Sequence, residues 1–175
     1  MGNINSCWDT EPAETPPTDN ETSSICLTKP QRGAHNFMIA NYSDLKGMGV
    51  GRFVSSRPFS VGGYNWQIMF YPDGADRKHA GYAAAYLRCC SASDDDAAAS
   101  AAVAASGVRT EYTLSLRVKH GRVHRCSRDS NDRVRYTFPA LGAALGFPMF
   151  IKRSKLRREY FTIRCDLKVI KHHVL

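Results

Sequence analysis

The sequence predicts an all-β protein, two packed antiparallel sheets behind a disordered N-terminal tail. Two observations carry that prediction. From residue 35 onward, apolar side chains recur with a period of two rather than 3.6. Seven or eight such segments follow one another, divided by Gly, Pro and Asp turn signals, which is the pattern of a sandwich. A strand with one apolar face has to bury it, so two sheets must face each other.

Residues 1–30 are read as the tail. The run TEPAETPPTDNETSS is polar, acidic and rich in Pro and Thr, and it buries too little apolar surface to offset its ordering entropy. The first residues, MGNINSC, fit the N-myristoylation pattern at Gly2, and Cys7 is a candidate for a second acyl chain. Two chains anchor a protein stably and one does not. A plain disordered start is the competing reading.

The folded part is expected over 31–171, with 172–175 as a short C-terminal tail. HNFMIANY sets Phe37 and Ile39 on one face. Gly47, Gly49 and Gly51 lack the Gly-Lys-Ser/Thr ending of a phosphate loop and read as a hairpin connection. VGGYNWQIMFYPDG is the clearest early strand. It puts Tyr64, Trp66, Ile68 and Phe70 on one side, Asn65, Gln67 and Met69 on the other, and ends in a Pro-Asp-Gly turn. In GYAAAYLRCC, Ala83, Ala85, Leu87 and Cys89 oppose Tyr82, Ala84 and Tyr86. SASDDDAAASAAVAASG is low in complexity and reads as a loop insertion. Alternation resumes with Tyr112, Leu114, Leu116 and Val118, turns at KHG, and returns in VRYTF. FIKRSKLRRE fits a short basic helical turn. FTIRCDLKVI then points Phe161, Ile163, Cys165, Leu167 and Val169 inward and Thr162, Arg164, Asp166 and Lys168 outward.

Composition narrows the function classes. The net charge is +8, but residues 1–108 hold 8 Lys/Arg against 11 Asp/Glu, whereas residues 109–175 hold 16 against 5. Because the basic residues lie on the solvent side of alternating strands, the charge reads as a wet face that favours acidic partners. No apolar run approaches the roughly 20 residues of a membrane span, and no secretory signal opens the chain. Cys7, Cys26, Cys89, Cys90, Cys126 and Cys165 include no C-x-x-C pair and read as free thiols in a reducing, cytoplasmic or nuclear compartment. His120, His124 and Cys126 sit on a turn and a strand, with no glutamate to complete a zinc motif. No nucleophile elbow or acid–base pair emerges, and the Asp94–Asp96 run reads as a solvated cluster. A non-enzyme without metal or cofactor is the expectation.

FSVGGYNWQIMFYPDG, GYAAAYL, EYTLSL, LGFPMFIKRSKL and FTIRCDLKVI follow in the order and spacing of a MATH (TRAF-like) domain, and the wording resembles plant MATH–BTB proteins. The resemblance implies an eight-stranded antiparallel sandwich that binds short, extended, Ser/Thr-rich peptides as the substrate-recognition module of a cullin-RING ubiquitin-ligase receptor. It places peptide contacts at Tyr82, Leu114, Ala144, Leu145, Gly146 and Phe147. Leu145 stands where the family has tryptophan and Leu114 where a phenylalanine is common, so a less aromatic pocket is expected. Ala143 and Ala144 stand where some relatives carry charge. Core packing is the competing role for Tyr82 and Phe147. The resemblance also implies that cullin is reached only through a BTB domain, which KVIKHHVL is not followed by here. The chain is therefore read as a MATH-only or truncated member, monomeric without BTB. Two other readings remain. A basic sandwich binding nucleic acid would use Arg122, Arg125, Arg128, Arg133 and Arg135. An acylated membrane-surface protein would use Gly2, Cys7 and the basic half.

Overall fold

In the computed structural model, described for residues 22–92, 106–118, 123–125, 133–157 and 159–174, the alternating segments are strands. They are β1 (Cys26–Ile39), β2 (Val54–Ser55), β3 (Phe59–Val61), β4 (Tyr64–Tyr71) and β5 (Tyr82–Ala92), then β6 (Val108–Val118), β7 (Val123–Arg125), β8 (Val134–Phe138), β9 (Ala144–Lys152) and β10 (Phe161–Val174). One sheet runs β1-β10-β6, with β7 and β8 end to end along the far edge of β6. The other runs β2-β4-β5-β9, with β3 also on β4. Every pair is antiparallel. Among the described residues there are ten strands where eight were expected, and β2, β3 and β7 are pieces of only two or three residues.

The core is what the alternation demands. Tyr64, Trp66, Ile68 and Phe70 of β4 and Ala83, Ala85, Leu87 and Cys89 of β5 are buried. They meet Tyr112, Leu114 and Leu116 of β6, Phe138 of β8 and the five inward residues of β10. Trp66 spans the gap. Its ring meets Phe138 edge-on at 5.1 Å, and its Nε1 donates to the Val61 carbonyl at 3.0 Å, the partner that a buried indole N–H requires. Val61 ends β3, and Gly62–Gly63 turns the chain into β4 with both φ values positive, 68° and 76°. That is the backbone of a two-residue hairpin turn. A Cβ on Gly62 would lie 2.6 Å from the Val169 Cβ, so the turn also presses against the opposite sheet.

Three boundaries differ from expectation. β1 begins at Cys26 and pairs with β10 through Val174, so strand structure reaches into residues read as tail at both ends. Residues Cys26–Arg32 are exposed along that ribbon. Backbone pairing alone builds it, and no hydrophobic pattern announces it. Second, the basic helical turn expected in FIKRSKLRRE is present, but it is shorter than the segment. Phe150–Lys152 closes β9, and only Arg153–Lys155 turns, as a 3-10 turn. Third, the segment read as insertion contributes its first two residues to β5, which continues to Ala92. Residues 93–105 lie outside the described residues, as do Gly2, Cys7 and the rest of 1–21.

The end of β9 is fixed by charge. Asp73, in the turn after β4, is buried and receives Arg153 Nη2 at 2.6 Å and the Gly49 amide at 2.8 Å. Arg153 also donates to the Ala80 carbonyl at 3.1 Å. One carboxylate therefore holds the glycine-rich loop before β2 and the turn after β9. Asp73→Ala strands Arg153 and the Gly49 N–H, and is expected to lower the unfolding free energy by about 2–3 kcal/mol in urea titrations.

Burial also sets the thiols apart. It pushes the Cys89 thiol up to about 12 and raises the Cys165 thiol as well, whereas Cys26 is exposed. The thiolate is the reactive form. Iodoacetamide on the native protein at pH 8, followed by peptide mass spectrometry, is expected to label Cys26 and to leave Cys89 and Cys165 unlabelled until the protein is unfolded.

Candidate functional site

β9 is irregular because its sequence is. Leu145 lies opposite Leu87, Gly146 opposite Tyr86, and Phe147 opposite Ala85. Then the register jumps, since Ala83 lies opposite Ile151. Pro148 falls in that gap, where a residue without an N–H interrupts the ladder at least cost. β9 closes its sheet and pairs with β5 alone among the described residues. Leu145 and Phe147 face the sandwich interior, but no further strand covers them, and both are only half-buried.

Two contacts set the height of this edge. The Tyr112 hydroxyl, reaching across from β6, donates to the Leu145 carbonyl at 2.9 Å. Burial holds that phenol well above its ordinary value, so it stays a donor. On the other side β9 lies tight against β5. A Cβ on Gly146 would run into the Ala85 carbonyl oxygen and sit 2.5 Å from the Tyr86 Cα. Beside Gly146, the outer face of the sheet carries a file of rings. Tyr86 meets Tyr71 at 5.5 Å, and Tyr71 meets the exposed Phe53 at 5.2 Å.

The structure brings Ala144, Leu145, Gly146 and Phe147 together on this strand, with Ala144 and Gly146 outward and Leu145 and Phe147 inward. Tyr82 is not beside them. It lies opposite Lys152, four residues from Tyr86, or about 13 Å along the strand. Tyr86 is the tyrosine that lies opposite Gly146. Leu114 needs a firmer correction. It sits on the opposite sheet, across from Cys165, only 3% exposed in the shared core. Its parity on β6 points it into the core. Tyr112, two residues earlier, is the β6 side chain that touches β9. A buried tyrosine needs a partner for its hydroxyl, and that need was the available clue.

Part of the basic half of the sequence lies elsewhere, on the outer face of the β1-β10-β6 sheet. Glu111 takes Lys168 at 3.1 Å, Arg135 at 3.2 Å and Arg133 at 3.9 Å, and hydrogen bonding from Lys168 leads in holding its carboxyl below the usual range. Asp166 takes Arg164 at 2.7 Å. These carboxylates interrupt the positive field. Arg125 lies on β7 opposite Ser115, while Arg122, Arg128, His120 and Cys126 lie outside the described residues. Among the described residues no three His, Cys, Asp or Glu side chains gather as a metal site would require, and no helix is long and apolar enough to cross a membrane.

Two packed antiparallel sheets define the fold class, a β-sandwich, and comparison with known proteins says which family it belongs to. The chain belongs to the MATH domain family, whose match runs over residues 34–172. BTB/POZ and MATH domain-containing protein 5 of Arabidopsis thaliana is 32% identical over 167 residues, covering 88% of this chain and 37% of that protein. Protein 6 of the same series is 34% identical over 163 residues, covering 87% and 36%. The chain thus spans little more than a third of the length of these curated relatives. Among solved structures, TRAF5 of Notothenia coriiceps gives a TM-score of 0.47 at 19% identity, over 78% of this chain and 72% of that one.

Gly146→Ala forces β9 off β5, and is expected to destabilise the fold by about 1–3 kcal/mol in urea titrations. The exposed neighbour Ala144→Ser is expected to stay within about 0.5 kcal/mol.

Proposed function

We propose that the chain is a peptide-binding adaptor module whose ligand docks along Ala144–Phe147. One observation carries this reading: β9 ends its sheet with no strand on its outer side among the described residues. An extended segment can add there through main-chain hydrogen bonds, while side-chain contacts supply selectivity. Ala143, Ala144 and Gly146 keep the approach low, so a ligand backbone can come close. Leu145 and Phe147 offer half-buried apolar surface below it, and Tyr86 flanks the outer face. Pro148 ends the regular edge, which suits a short ligand.

The ligand class is a short, extended Ser/Thr-rich segment of another protein. The biological setting is substrate recognition for a cullin-RING ubiquitin ligase, with cullin engaged through a BTB domain. Two relatives carry both BTB/POZ and MATH domains in their names, which supports that setting.

The test is a Ser/Thr-rich peptide array, with hits measured by fluorescence anisotropy. Ala144→Glu sets a bulky charge on the exposed edge without touching the core. It is expected to weaken binding at least about tenfold, or about 1.4 kcal/mol, with the fold retained in thermal melts. Binding that survives Ala144→Glu would place the ligand elsewhere.

A further inference from the structure

Arg88 is a cation beside this edge, and no carboxylate among the described residues answers it. It stands on the outer face of β5, opposite Ala144 on one side and Gln67 on the other. The side chain is half-buried. Its Nε is covered and meets no acceptor. No carboxylate among the described residues pairs with its guanidinium, unlike Arg153, Arg164 and Arg135, each of which holds one. Its Nη2 reaches toward the turn before β9, where a Cβ on Gly142 would lie 3.9 Å away.

A guanidinium partly out of water and without an anion is costly. In this low-dielectric setting it attracts an anionic oxygen pair more strongly than an arginine in open solvent does. The groups around it do not compete. Gln67 spends its Nε2 on the Ser56 carbonyl and its Oε1 on the Cys90 thiol, and the β9 residues alongside are alanine and glycine. Ala143 and Ala144 carry no charge, and among the described residues no carboxylate pairs with Arg88, which leaves room for a ligand to bring the anion.

We propose that Arg88 is a specificity residue that selects peptide ligands bearing an anionic side chain, a carboxylate or a phosphate ester, at the position lying over Ala144. The planar fork of arginine can meet either group through two parallel hydrogen bonds. This inference rests on the β9 reading and adds the chemistry of the ligand to it. Phosphorylation of a Ser/Thr-rich segment would then strengthen its capture.

The experiment prints Ser/Thr-rich 12-residue peptides in matched sets, with one position scanned as Ser, Glu, phosphoserine or Lys. The sets are read with the wild-type chain, Arg88→Gln, Arg88→Lys, Arg135→Ala and Ala144→Glu, after thermal melts confirm each fold. For the wild type, the Glu or phosphoserine member is expected to bind about tenfold tighter than its Ser counterpart, and Lys weaker. The two anionic arms separate carboxylate from phosphate recognition. Arg88→Gln is expected to bring all members to a common affinity, and Arg88→Lys to restore part of the preference. Arg135→Ala is expected to keep it.

Equal binding of Ser, Glu and phosphoserine peptides, still lost in Ala144→Glu, would overturn the role of Arg88 and leave the β9 reading standing. A preference that survives Arg88→Gln but disappears in Arg135→Ala would move anion recognition to the opposite sheet and overturn the proposal. No peptide binding by the wild type would overturn both.

Discussion

The two sheets are held at one separation by the large inward side chains they share, and the rest of the molecule depends on that separation. Trp66 against Phe138 and Phe70 against Phe161 are contacts across the gap, at ring distances of 5.1 and 5.5 Å. Each such ring removes a large apolar area from water, about 1.5–3 kcal/mol for a phenylalanine side chain. Interiors pack as densely as organic crystals, so the spacing cannot drift. It lets the Tyr112 hydroxyl reach the Leu145 carbonyl, and so fixes the height of the last strand above the opposite sheet.

An edge strand is ordinarily a liability, because its unpaired backbone groups invite any extended chain. β9 limits that hazard by being irregular. Pro148 and the jump in register confine the regular stretch to Ala144–Phe147, and the Asp73–Arg153 pair anchors the strand just beyond its end. The same features that discourage indiscriminate pairing define a short docking edge. The opposite sheet is guarded differently. Its outer face carries Arg133, Arg135, Arg164 and Lys168, but Glu111 and Asp166 sit among these cations and pair with them. Surface pairs of this kind contribute little stability; here they break up what would otherwise be a continuous basic track. Arg88, on the other sheet, has no such counterion among the described residues, and that contrast singles it out.

Period-two patterning determined much of this protein by itself. The strands from Tyr64 to Phe70, from Tyr112 to Leu116 and from Phe161 to Val169 follow from local alternation, because a half-buried strand must present one apolar face. That was enough to predict a sandwich and most of its core, and the order of motifs pointed to the MATH family. Three features were out of reach. Cys26–Arg32, where β1 enters the β1–β10 ribbon, are all exposed, so no pattern marks them. β9 does not alternate, because Gly146 and Pro148 break its periodicity. Which residues share a site was decided by register alone. Register set Tyr86 beside Gly146, moved Tyr82 about 13 Å away and sank Leu114 into the core. Alternation says which face a side chain takes, but only the pairing of distant strands says what lies next to it.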